Sequence, residues 1–224
     1  MTRTRDFLPE PPSGDLWVRF VNTLSFSHGR PTERIPDADA LIGWLRMTRL
    51  LSDRAASAER ANLRDDPDEG TRRVARFIYL RDLIRDVATE VAESGDLSRD
   101  HVRALNHVLR HGLHYHQLEV SADGTAYGLA RVGDRLDQAR ATVAGTFADF
   151  LAGRMVGRLR ICANPGCREV FIDRSAAGRR RWCDMRTCGN QAKVARHRAR
   201  RRDATARTAP IPPAEPLPVG LVAH

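Results

Sequence analysis

The chain has 224 residues, 42% of them hydrophobic, enough for one large domain with a proper core or for a medium-sized domain with a small one beside it. Its formal charge is +9, from 37 basic residues of which Lys193 is the single lysine, against 28 acids. No apolar run approaches the roughly 18 residues of a membrane span, and the N-terminus, MTRTRDFLPEPPSGD, lacks the apolar segment of a secretion signal.

Residues 1–14 are polar and carry Pro9, Pro11 and Pro12, the composition of a disordered lead-in. Asp15 starts a helical pattern in which Leu16, Phe20, Val21 and Leu24 share a face, and His28-Gly29-Arg30-Pro31 reads as its stop. Asn22 is out of place among these apolar residues, and the simplest reading is a satisfied side chain that holds a loop. A second helix runs from Ala38 to about Thr48, and an Ala/Arg-rich one from Ser52 to Arg64 is closed by Asp65-Asp66-Pro67. The strongest helical stripe spans 71–93, through Val74, Phe77, Ile78, Arg81, Ile84, Val87 and Val91, with Gly95 as its stop. Ser98 caps the next helix, with Val102, Leu105 and Leu109 expected inward.

His101, His107, His111, His114 and His116 follow closely, and His107 and His111 have the i, i+4 spacing of metal ligands. No Glu lies within that pair, and Gly112 interrupts the helix where rigid geometry is needed, so ordinary histidines are the better reading. Alternation over 117–121 and 126–132 around Asp123-Gly124 predicts a β-hairpin. A last long helix runs from Asp134 to about Arg158 and leads almost directly into the cysteine-bearing segment.

All four cysteines lie in that segment, at 162, 167, 183 and 188. They form two pairs, each with four residues between its members, and fifteen residues separate the pairs. Two close pairs let the chain return to complete one tetrahedral zinc site, and Asn164-Pro165-Gly166 supplies the bend within the first. Disulfides would need an oxidising compartment, and an iron–sulfur cluster also accepts four cysteines; spacing alone leaves both open. Four thiolates fill the zinc coordination sphere and leave no position for an activated water, which argues against an enzyme here.

Within the segment, Val170-Phe171-Ile172 reads as a strand, Ser175-Ala176-Ala177-Gly178 as a turn and Arg180–Trp182 as the return strand. A helix from Met185 onward carries Cys188, and Phe171 and Trp182 form the small apolar core. The charge is concentrated here. Residues 154–202 hold fifteen Lys+Arg and three acids, a net +12, so the remainder of the chain sums to −3. That is the footprint of a phosphate-binding surface. After Arg202, five prolines between 210 and 218 mark a disordered tail.

The run CANPGC…RRWCDMRTCGNQAKVARHRARR resembles the CGNR zinc finger of bacterial regulators, named for the tetrapeptide at its last cysteine. Here that tetrapeptide reads Cys188-Gly189-Asn190-Gln191, with Gln in place of the final Arg. In that family the finger follows an ABATE-type domain of stress-induced transcription regulators, whose opening is similar to LWVRFVNTL at residues 16–24.

The expected architecture is therefore mainly α with a small β-hairpin, a helical ABATE-type domain followed by a treble-clef-like four-cysteine finger of α+β type. The expected boundaries are a disordered 1–14, the regulatory domain 15–158, the finger 159–202 and a Pro-rich tail 203–224. One structural zinc is expected on Cys162, Cys167, Cys183 and Cys188. Arg179, Arg180 and Arg181 are expected to meet phosphates, and Asn190, Gln191, Lys193, Arg196, Arg198, Arg200 and Arg201 to lie along duplex DNA. An Asn or Gln at the helix start suits a bidentate bond to adenine. The N-terminal domain is expected to sense a small effector or to dimerise, in the cytoplasm and at the nucleoid. An RNA- or protein-binding zinc module is the alternative.

Overall fold

The computed structural model describes residues 15–112, 115–120, 124 and 127–208. The main body is built around α4, Pro67–Ser94, whose 28 residues make it the longest helix. It packs against α1 (Leu16–Val21), α2 (Ala38–Met47), α3 (Asp53–Asp65), α5 (Arg99–His111) and α6 (Arg135–Ala152). Three two-stranded antiparallel ribbons complete it: β1 (Leu24–Ser27) with β2 (Arg30–Glu33), β3 (Tyr115–Val120) with β4 (Tyr127–Val132), and β5 (Leu159–Ile161) with β6 (Val170–Ile172). The helical domain joined to a four-cysteine α+β module is the expected fold class.

Local sequence sets the helix starts. Asp37, Ser52, Asp66, Ser98 and Asp134 each accept a hydrogen bond from the backbone N–H three residues on. Such caps contribute about 1 kcal/mol each. Pro67 does not close α3 alone; it occupies the first turn of α4, where its missing N–H costs nothing. Gly95 ends α4 at φ +79, a left-handed conformation that glycine takes without strain.

Helix α1 buries Leu16, Trp17, Phe20 and Val21 and exposes Arg19, which explains why four of its six residues are fully apolar core positions. Trp17 meets Phe147 and Phe150 of α6 at ring-centroid distances of 4.7 and 4.8 Å, and Phe20 meets Trp44 at 5.2 Å. The core continues through Leu159 and Val170 of β5 and β6, so the β5–β6 ribbon belongs to the same apolar cluster as the helices.

Several expectations need correction. The first helix stops at Val21, and the residues read as its end form the β1–β2 hairpin. His28 and Gly29 both have positive φ, +52 and +79, as a two-residue turn matched to strand twist requires. Val102 is 39% exposed, and Val108 takes the inward position beside Leu105. Helix α6 ends at Ala152, and a short 3-10 turn, Val156–Arg158, precedes β5. Arg180–Trp182 is not a strand; β6 pairs with β5 instead, Leu159 opposite Ile172 and Ile161 opposite Val170. The reason is geometric: Cys162–Cys167 is the tip of the ribbon, so the partner of β6 must precede Cys162.

The β3–β4 hairpin forms as expected, although Asp123 at its turn lies outside the described residues. His114 also lies outside them, and His107 and His111 meet ring edge to face at 4.5 Å. The chain divides into two units between Cys183 and Asp184. The second contains a π-type turn, Met185–Gly189, and α7, Asn190–Thr208, which continues past Arg202, where the sequence suggests the tail begins.

Candidate zinc centre and basic helix

The first cysteine pair sits on the tip of the β5–β6 ribbon. Cys162 N–H donates to the Glu169 carbonyl at 2.8 Å, which extends the ladder by one rung. Asn164 then organises the bend: its side-chain oxygen accepts from Gly166 N–H at 3.0 Å, and its carbonyl accepts from Cys167 and Arg168 N–H at 2.9 and 3.1 Å. Arg168 closes the knuckle at φ +54.

The path to the third cysteine is set by Asp173, which is fully buried. One carboxylate oxygen accepts from Ser175 N–H at 3.0 Å and from its hydroxyl at 2.6 Å, and the other accepts from Arg180 N–H at 2.8 Å. Ala163 N–H donates to the Arg181 carbonyl at 2.8 Å, drawing the returning chain against the knuckle. The fourth cysteine comes from the π-type turn, which Asp184 caps by accepting from Arg186 N–H at 2.6 Å.

These elements bring the four sulfurs within 4.8 Å of one another. Cys167 Sγ and Cys183 Sγ are 3.7 Å apart. Zinc–sulfur bonds of about 2.3 Å in a tetrahedron give sulfur–sulfur edges of about 3.8 Å, so this edge fits zinc and is far too long for a disulfide of about 2.05 Å. Burial, followed by the charges of Glu169 and Cys162, pushes the Cys183 thiol well above its usual range. Four neighbouring thiolates therefore need a cation, and a divalent ion deprotonates its thiol ligands outright. The donor set is positioned to hold one zinc ion. Zinc tetrathiolate carries a charge of −2, which leaves the +12 of residues 154–202 at about +10.

The Asp173 carboxyl is lowered from 3.8 to about 2, first by the Ser175 hydroxyl bond and then by the backbone donors that outweigh its desolvation. Its folded value is depressed, so its contribution is fully present above the unfolded value of 3.8 and is lost as pH falls from 3.8 towards 2. Asp173→Asn is therefore expected to lower the melting temperature by several degrees, with a gap to wild type that stays constant between about pH 8 and about pH 5. A gap that closes within that range would assign the effect to another group.

Asn22, the polar residue in the apolar run, holds the ribbon in place. Its amide nitrogen donates to the Val170 carbonyl at 2.8 Å, and its oxygen accepts from Val170 N–H at 3.1 Å. The side chain thus pairs with the outer edge of β6 as another strand would. Beside it, Gly29 N–H donates to the Gly166 carbonyl at 3.2 Å, and a Cβ on Gly166 would lie 3.1 Å from Gly29 N. Arg85 of α4 completes the brace, with one terminal nitrogen donating to the Val21 and Leu24 carbonyls and the other to the Arg168 carbonyl. Asn22→Ala leaves both edge groups of Val170 unpaired in a partly buried place. It is expected to cost about 2 kcal/mol, read as a lower denaturant midpoint at unchanged m-value.

Among the residues expected to meet nucleic acid, Arg179 and Arg181 are exposed. Arg180 is half-buried and turned to the module itself: its guanidinium donates to the Cys183 carbonyl and lies 5.2 Å from the Phe171 ring centroid. Phe171 is buried and Trp182 half-buried, with Arg181 stacked on the indole at 5.3 Å. Asn190, Gln191, Lys193, Arg196, Arg198, Arg200 and Arg201 are all exposed on α7. At about 100° per residue, Lys193, Arg196 and Arg200 share one side of that helix and Arg198 and Arg202 the opposite side. The charge therefore surrounds α7 rather than forming a single face.

Three buried or linking residues, Asn22, Arg85 and Asp173, position the site without being ligands. Of these, Asn22 alone stands out in the sequence, as a polar residue in an apolar run.

A four-cysteine centre of this kind, following a helical body, defines a zinc-binding protein. The family model described as "CGNR zinc finger" matches residues 158–201, and the ABATE model, described as "Putative stress-induced transcription regulator", matches residues 14–154. The chain belongs to the ABATE family and carries a CGNR zinc finger. Neither family is an enzyme family. No curated protein matches the chain. No helix among the described residues is long and apolar enough to cross a membrane.

Proposed function

We propose that this protein is a DNA-binding transcription regulator whose zinc finger, residues 159–202, docks on duplex DNA under the control of the helical domain, residues 15–158. The observation that carries this reading is the charge distribution. Residues 154–202 hold +12 and the rest of the chain −3, while the basic residues of α7 are exposed on every side. A helix that buries no apolar stripe gains little from packing, and its evident complement is a polyanion.

In this reading zinc fixes the knuckle, the ribbon and the turn that starts α7. Arg179 and Arg181 contact phosphates, with Arg180 dividing its role between the finger and the backbone. Lys193, Arg196, Arg198, Arg200 and Arg201 follow the duplex. Asn190 and Gln191, at the start of the helix, offer the amide groups that pair bidentately with adenine. The helical domain senses a small effector or dimerises, and the protein works in the cytoplasm at the nucleoid.

The test is a competition titration of zinc-loaded protein against duplex fragments and structured RNA over a salt series. Preference for particular duplexes that persists at physiological salt supports sequence-specific regulation. Preference for structured RNA, or binding lost equally for every polyanion, overturns it in favour of an RNA-binding or protein-binding zinc module.

A further inference from the structure

Where α4 meets the zinc knuckle there is an open cleft of about 200 Å³, lined by Arg85, Asp86, Thr89, Ile161 and Arg168. It is smaller than the roughly 300–1,000 Å³ of pockets for drug-sized ligands, so it suits a small molecule. Two arginines line it, and neither forms an ion pair among the described residues. Arg85 is largely buried, its terminal nitrogens meet only the Val21, Leu24 and Arg168 carbonyls, and its Nε is buried with no partner among the described residues. Burial, followed by the nearby Arg81 and Arg168 charges, lowers its pKa, with Asp82 and Asp86 offsetting part of the effect. Arg81 is compensated, with Glu33 at 2.7 Å. Asp86 is the one acid on the cleft wall and offsets part of the excess.

Arg168 adds a second, backbone observation. At φ +54 it occupies a left-handed position that glycine or asparagine fills with less strain. An arginine therefore lines the cleft at a conformational cost.

We propose that this cleft binds a small free oxyanion, a phosphate or a short carboxylate, between Arg85 and Arg168, and that it is the effector site of the regulator. The site's role as effector rests on the regulatory reading above; the binding itself does not. Its position explains how occupancy reaches the finger. Arg168 is the residue after a zinc ligand, and Arg85 is the brace that holds the Arg168 carbonyl. A ligand held by both tightens the joint between α4 and the knuckle.

The experiment titrates zinc-loaded full-length protein, without nucleic acid, with inorganic phosphate and separately with succinate, in a buffer of weakly binding ions, by calorimetry. Saturable one-site binding of either probe is expected. Arg168→Asn keeps the left-handed backbone and is expected to raise Kd about tenfold, the scale of one charge-assisted contact. Asp86→Asn is expected to tighten binding several-fold, an effect that a damaged fold does not produce. Non-saturating heats, or a Kd unmoved by both substitutions, would overturn the proposal. Displacement of the bound probe by a short duplex, with the same dependence on Arg168, would reassign the cleft to backbone phosphate and also overturn it. Failure of the protein to bind DNA at all would defeat the regulatory reading and leave the oxyanion site standing.

Discussion

Loss of zinc is expected to unfold the segment from Cys162 to Cys188, whether by chelation or by Cys188→Ser. Apparent zinc-binding energies in finger peptides are about 10–16 kcal/mol at neutral pH, and in small modules this is folding energy. Without the metal the module keeps the hydrogen bonds of the knuckle and the Asp173 loop and the brace from Asn22, Gly29 and Arg85, but its own apolar core is small: Phe171 is buried and Trp182 only half-buried. The main body is expected to melt cooperatively still, because α1, α4 and α6 bury Trp17, Phe20, Phe77 and Phe147 independently of the metal. It should not be untouched. Leu159 and Val170 belong to the same core, so a metal-free protein should melt several degrees lower. Trp182 emission follows the finger, while Trp17 and Trp44 are buried in the main body. A Cys188→Ser protein that retains one zinc per chain and a native Trp182 signal would refute the four-sulfur assignment.

The second large effect is expected on α7. Replacing Arg198 and Arg200 with Ala removes two guanidinium groups that the proposed function places on phosphates. Each phosphate contact contributes about 0.9 to the slope of log K against log salt, so the double variant should lose about 1.8 of slope and bind all duplexes more weakly. The same change relieves repulsion in the helix. Arg196 and Arg200, and likewise Arg198 and Arg202, are like charges at i, i+4, which cost about 0.2–0.5 kcal/mol per pair. The variant should therefore be at least as helical as wild type by circular dichroism. Weaker binding with unchanged helicity locates the contact on α7; an unchanged salt slope moves it elsewhere.

What could be read from the sequence was local chemistry. The helix starts at Asp37, Ser52, Ser98 and Asp134 are side-chain caps within three residues of their targets. The zinc site is two tight cysteine pairs with a Pro-Gly bend in the first, and its charge is a matter of counting. What could not be read was partner choice across distance. The β1–β2 hairpin was hidden because Leu24 and Phe26 also fit the end of an apolar helix, and Gly29 serves a turn or a stop equally well. The pairing of β6 was misread because Arg180–Trp182 and Leu159–Ile161 are both short stretches flanking a cysteine pair; burial of Leu159 and Val170 in the helical core decides between them. Pro67 looked like an end because proline signals both the stop of one helix and the first turn of the next.

The bond between Asn22 and Val170 spans 148 residues. Chains emerge from the ribosome at about 5–20 residues per second, so the Asn22 amide waits roughly 7–30 s for its partner to be made. For most of that interval α1 has neither the β6 edge nor Phe147 of α6 to pack against. Phe20 finds Trp44 and Phe77 early, but the Trp17 side of α1 and the Asn22 amide are completed late. The last contacts of α1 are thus deferred until the ribbon that carries the first cysteine pair has been made.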